Sequence, residues 1–151
     1  MSRTLGRIRS HRQHLLKNLG RSLVRSERLT TTLPKAKELQ RLVERWVSLA
    51  KRVQESSAAS QLAGRRRLIA QVIELDVVRK LVDDLAVRVK TRTGGYTRIL
   101  HLGHRLGDAA PVAQIEFVDR PAVKAATRAK SARTAQATPV APTATRVKKA
   151  A

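Results

Sequence analysis

In "PVAQIEFVDR" (residues 111–120), Ala113, Ile115 and Phe117 fall on one side of an extended chain, with Gln114 and Glu116 on the other. Strict alternation is the pattern of a strand with one buried face; a helix would scatter the same residues around its circumference. The passage turns an otherwise mostly helical chain into an α+β one. Immediately before it, residues 96–102 hold enough Ile, Leu and Thr to form its partner strand. Between the two, "GHRLGDAAP" (residues 103–111) supplies the glycine, aspartate and proline of a hairpin loop. A β-branched run at residues 29–32 suits a third, short strand.

The remaining periodicity is helical. Leu15, Leu16, Leu19 and Leu23 share one side of a helix expected over residues 10–25. Thr32 is placed to cap a second helix, with Pro34 tolerated in its first turn, where an amide hydrogen has no partner anyway. That helix carries Leu39, Leu42, Val43, Trp46, Val47, Ala50 and Val53 as one long stripe. Trp46 sits in its centre, so core packing is favoured over a role as a base-stacking platform. A third helix over residues 60–74 would bury Leu62, Leu68, Ile69, Val72 and Ile73. Asp76 is expected to cap a fourth, which carries Val77, Val78, Leu81, Val82, Leu85 and Val89. The expected fold is therefore α+β, about four helices packed on a small sheet of about three short strands.

Charge divides the chain differently. Lysine and arginine number 32 against 11 acids, a net charge of +21. Residues 1–25 and 121–151 each hold seven basic residues and no acid, leaving a milder body between them. This pattern gives a basic amino-terminal arm (residues 1–9), a body (residues 10–120) and a tail (residues 121–151). The tail is rich in Ala, Thr, Lys and Pro without any aromatic, so it is expected to be disordered. A self-repulsion of this size suits a chain bound to a polyanion.

The candidate contacts for that polyanion follow from position. On the first helix His14, Lys17, Arg21 and Arg25 gather opposite the leucines, with no acid between them for i,i+4 pairing. His11, Arg12 and the arm residues Arg7 and Arg9 extend this surface, and Lys35 and Lys37 add to it at the start of the second helix. In the run of arginines at 65–67, two side chains should reach solvent, taken as Arg65 and Arg66, and one should lie along the core edge. The passage "RTGGYTRILHLGHRLGD" (residues 92–108) supplies the rest. Gly94 and Gly95 permit positive φ and a close backbone approach that can aim amide hydrogens at a phosphate. Arg92 and Arg98 would flank that turn, and Tyr96 would stack on an unpaired base or bond a sugar. The competing reading is a plain β-turn with Tyr96 as a lid on the core, and both can hold for different atoms. His101, His104 and Arg105 continue the basic run.

Other functions find little support in these residues. There is no cysteine, no Gly-x-Ser-x-Gly elbow and no phosphate-loop Gly-Lys-Ser/Thr, so no catalytic residue, cofactor or small-molecule substrate is expected. The pairs His11/His14 and His101/His104 lack thiolate or carboxylate co-ligands and lie among arginines, which argues against a metal. No apolar run approaches bilayer length, and no membrane partner is expected. A basic DNA-binding architectural or regulatory protein is the alternative class. It is disfavoured because the charge is spread over arms and body instead of one recognition helix.

"SHRQHLLKNLGRSLV" (residues 10–24), "TTLPKAKEL" (residues 31–39), "GGYTRIL" (residues 94–100) and "RLGDAAPVAQIEFVD" (residues 105–119) together resemble the bacterial-type large-subunit ribosomal protein seventeen family. The resemblance covers about residues 5–120, with the blocks in the family's order and spacing. It implies an α+β structural constituent of the large ribosomal subunit, not an enzyme. Its implied partners are large-subunit ribosomal RNA and neighbouring ribosomal proteins, near the exit-tunnel side. It also implies a ribosome-bound, cytoplasmic location, or an organellar ribosome as the alternative. The chain departs from the family pattern at its opening Met-Ser-Arg-Thr-Leu-Gly-Arg, at His101, where Lys or Arg is more usual, and in the tail from Pro121 onward.

Overall fold

The computed structural model describes residues 3–119; the tail expected over residues 121–151 lies outside the described residues. Helix α1 (Arg9–Ser26) is stopped by Glu27 in the left-handed region, φ 61°, whose amide donates to the Leu23 carbonyl at 2.7 Å. Strand β1 (Arg28–Thr32) follows, then the long helix α2 (Leu33–Glu55). Thr32 does stand at the N-cap with Pro34 in the first turn, yet its hydroxyl makes no capping bond; the proline-started turn forms without it.

Helix α2 is the spine of the body. Ala36, Leu39, Val43, Trp46, Val47, Ala50 and Val53 are all buried, at the i, i+3/i+4, i+7 spacing of one helical face. Full burial of a side chain the size of Leu or Val contributes about 1.5–3 kcal/mol, so this face alone outweighs any capping term. Leu23 and Val24 of α1 pack into the same cluster, while Leu16 and Leu19 are half-buried against it.

Helix α3 (Ala58–Val72) departs from expectation at both ends. Of its expected buried set, Leu68 and Val72 are buried and Ile69 is half-buried, but Leu62 and Ile73 are each 54 % exposed. The reason at Ile73 is local: it adopts φ 76° as the helix stops, which turns it off the apolar face. The next segment begins two residues earlier than Asp76 suggested, with Glu74 at the N-cap and Asp76 inside the first turn. It runs as α4 (Leu75–Arg79), a π-helical stretch (Lys80–Leu85) and a last α-helical turn, α5 (Ala86–Arg88). Val77, Val78, Leu81, Val82, Leu85, Ala86 and Val89 are all buried along it.

Strands β2 (Thr97–His104) and β3 (Pro111–Phe117) form the expected hairpin, with a bulge at Leu102. The antiparallel sheet has the order β1-β3-β2, so the last strand made is the central one. Registration places Leu29, Ile115 and Ile99 in one row facing the helices, and Arg28, Glu116 and Arg98 in the adjacent row facing away. Ala113, Ile115 and Phe117 are buried as the alternation required. Glu116 faces outward but is itself only 8 % exposed, and its carboxylate accepts from both Arg98 and Gln114.

Candidate nucleic-acid interface

The acids of this body are largely used by its own cations. Glu74 at the α3–α4 junction receives Arg21 at 3.2 Å and Arg25 at 2.5 Å, so the acid-free stripe of α1 is neutralised at one end by a different element. Arg21 is thereby mostly covered, while Arg25 keeps 61 % of its side chain exposed. Arg65 turns to Asp83 at 3.0 Å, whereas Arg66 and Arg67 are exposed. Arg65 is thus the most covered of the three, although its side chain stays 41 % exposed. Sequence spacing on a helix cannot report an acid that arrives from another segment.

Buried and half-buried acids do structural work. Glu27 accepts from Lys80 at 3.0 Å and Arg88 at 3.1 Å, and its carbonyl accepts the Phe117 amide at 3.2 Å. Burial pushes its carboxyl up, but the hydrogen bonds from Arg88 and Lys80 outweigh that and hold it below the ordinary value. Arg88 also meets Asp84. One residue therefore ties the end of α1, the π-helical stretch, α5 and the sheet together.

The passage from Arg92 to Asp108 separates into atoms facing in and atoms facing out. Tyr96 is 2 % exposed and belongs to the core, its hydroxyl donating to the Thr93 carbonyl at 3.2 Å. Lys51 lies 5.8 Å from the ring centroid and donates to the Arg92 carbonyl at 2.7 Å. The stacking role expected for Tyr96 is therefore corrected: the ring is a lid on the core and has no face to offer a base. Gly95 does take positive φ, 66°, and neither glycine has another atom within 4 Å of where a Cβ would stand. That backbone is open to an incoming surface. Arg92 pairs with Asp119 at 3.0 Å, Arg98 with Glu116 at 2.6 Å, and Arg105 with Asp108. Arg105 and the Ala110 amide draw the Asp108 carboxyl down to about 2. Arg98 and Arg105 each keep 58 % of the side chain exposed, so pairing orients them without hiding them.

The first half of α1 is the least encumbered of the expected surfaces. Arg9, His11 and His14 are exposed, while Lys17 is half-buried beside them. Arg7 and Arg12 are held by the carbonyls of Leu5 and Arg3. Lys35 is half-buried and Lys37 exposed, the latter beside Gly95 and His101 in a shallow depression between α2 and β2. His101 and His104 are exposed on β2. Among the described residues no group of three or more His, Cys, Asp or Glu converges, and no helix is long and apolar enough to cross a membrane.

One surface was missed. A groove of about 810 Å³ runs between α1, α2 and α3, and its walls include Lys17, Arg41, Arg45, Arg52 and Arg67. None of these five forms an ion pair among the described residues. Arg41, Arg45 and Arg52 stand at i, i+4 and i+11, within about 40° of one another around the helix. The signal was present in the sequence, on the polar side of α2, behind a stronger apolar stripe.

Comparison with known proteins identifies the family of the chain. The family model described as Ribosomal protein L17 matches residues 15–118. "Large ribosomal subunit protein bL17" of Ehrlichia ruminantium (strain Gardel) is 47 % identical over 121 residues, covering 80 % of this chain and 92 % of that protein. The protein of the same name from Allorhizobium ampelinum is 48 % identical over 118 residues, covering 78 % of this chain and 79 % of that protein.

Proposed function

Because the chain belongs to the ribosomal protein L17 family, structural and non-enzymatic constituents of the large ribosomal subunit, we propose that it binds large-subunit ribosomal RNA through phosphate-directed basic surfaces and supports subunit assembly. The observation that carries this reading is how the acids are spent. Eight of the eleven are engaged in ion pairs within the body, so the surplus of +21 has no internal counterion. A polyanion supplies what is missing, and release of its condensed counterions supplies the driving force. The contact surfaces in this reading are the first half of α1, the open Gly94–Gly95 backbone, and the exposed faces of Arg25, Arg66, Arg98 and Arg105. In this reading the ion pairs of Arg21, Arg65 and Arg92 also hold the body, and the burial of Tyr96 argues against its stacking on a base.

The same reading places the protein on the ribosome near the exit-tunnel side, beside neighbouring large-subunit proteins. The bacterial sources of the relatives favour the cytoplasm over an organellar ribosome. Binding of the full chain to a large-subunit ribosomal RNA fragment should weaken steeply with salt, each phosphate contact adding about 0.9 to the log–log slope on duplex regions. A flat salt dependence, or equal affinity for duplex DNA of the same length, would count against it.

A further inference from the structure

The cationic groove between α1, α2 and α3 has a chemistry of its own. We propose that it is a binding cleft for a short single-stranded segment of RNA, with the phosphates on Arg41, Arg45, Arg52 and Arg67 and a base lowered onto the apolar floor. The proposal rests on the RNA-binding reading above and narrows it to a place and a nucleic-acid form.

Three observations converge on it. The first is charge segregation: the ion pairs among the described residues lie outside the groove, and Arg41, Arg45, Arg52 and Arg67 have no acid partner among those residues. Glu38 is the one acid in the lining; it is only 8 % exposed and accepts the Arg3 amide at 3.1 Å. Uncompensated guanidinium groups facing one another across a concavity repel, and this arrangement is stabilised by an anion between them.

The second is dimension. Arg41 to Arg52 spans about 16 Å along α2 at the helical rise. At about 3.4 Å per stacked nucleotide, that row matches about five nucleotides of one strand. Arg67 on α3 and Lys17 on α1 reach the same space from either side.

The third is the floor. Leu16, Leu42 and Leu49 are half-buried there, and Trp46, itself buried, is among the lining residues. The Trp46 indole nitrogen is buried and has no hydrogen-bond partner among the described residues. A duplex offers only its convex, charged backbone to such a cleft and would set phosphates over leucines. A single strand can turn an apolar base face inward while its phosphates stay with the arginines.

Trp46 is the chain's one tryptophan and therefore a native reporter at the groove. The test uses the full chain, a short oligouridylate, a blunt RNA duplex and a polyglutamate peptide, in a salt series. Arg45→Ala/Arg52→Ala is compared with Arg79→Ala/Lys90→Ala, which removes the same charge from surfaces outside the groove. Oligouridylate should change Trp46 emission saturably in the parent. The groove variant should bind it about tenfold more weakly, with a log–log salt slope reduced by about 1.4, or about 0.7 for each lost contact on a single strand. The control variant should keep the slope within about 0.5 of the parent. Equal losses in the two variants overturn the proposal, as does an equal Trp46 response to the duplex or to polyglutamate. A parent that binds neither RNA defeats the broader RNA-binding reading as well, whereas a parent that binds RNA with the groove variant unaffected defeats this proposal alone.

Discussion

Replacing Gly20 by alanine should destabilise the body, although helix propensity alone says the opposite. Alanine is favoured over glycine by about 1 kcal/mol in a helix interior. A Cβ at position 20, however, would lie 2.5 Å from Cζ3 and 2.8 Å from Cη2 of Trp46. Carbon atoms in contact sit about 3.5–4.0 Å apart, so α1 and the indole must separate by about 1 Å. Trp46 is 1 % exposed within the core cluster and cannot swing aside into solvent. Overpacking of this kind costs about 1–3 kcal/mol, and the severity of the overlap puts it at the upper end. The expected net loss is about 1–2 kcal/mol, read as a lower urea midpoint by far-ultraviolet circular dichroism with an unchanged slope. The decisive arm is the Trp46→Leu background, where the overlap is gone and the same Gly20→Ala change should stabilise by about 0.5–1 kcal/mol. If Gly20→Ala raises the midpoint with Trp46 present, the close approach of α1 to α2 has been misread.

Gly64→Ala should also destabilise by about 1–2 kcal/mol, read as a lower urea midpoint, because its Cβ would stand 2.4 Å from a methyl of the buried, β-branched Val53. Glu27→Gln should cost about 2 kcal/mol at neutral pH and flatten the acid limb of stability. Because Glu27 is held below its usual 4.5, its contribution is full above about pH 4.5 and disappears as pH falls through the lowered folded value; an acid limb unchanged by the substitution would contradict that. Gly95→Val should leave the core intact, since only open space surrounds that position, but strain the 66° φ and weaken RNA binding. Binding equal to the parent would reduce the glycine turn to a hairpin connection.

How far the sequence could be read depended on whether the deciding partner was local. Alternation over residues 111–120 and the stripe on α2 are properties of one element, and both strand and core emerged where expected. Ion pairs such as Arg21 and Arg25 with Glu74 join residues far apart in the chain, so no spacing rule could foresee them. Tyr96 was ambiguous for a related reason: its ring is buried in the core beside Lys51, a residue 45 positions away that no local spacing brings to it. The π-helical stretch is different, because its signal is written in order. Val77, Leu81, Leu85 and Val89 recur every four residues, as do Val78, Val82 and Ala86. An unbroken α-helix would rotate such a stripe by about 40° at each step, about 120° over three. Widening the turns between Lys80 and Leu85 keeps all seven residues buried.

The position of β3 between β1 and β2 also sets a timetable. Synthesis delivers the amino-terminal elements first. Neither outer strand has a neighbour until the residues after Pro111 exist, because both pair with β3 and not with each other. The three helices that wall the cationic groove are complete by Val72. The groove-bearing half of the body can therefore begin to assemble while the sheet still awaits its central strand. Closure of β1 onto β3, residues 28–32 onto 112–116, is the long-range step and the natural last event.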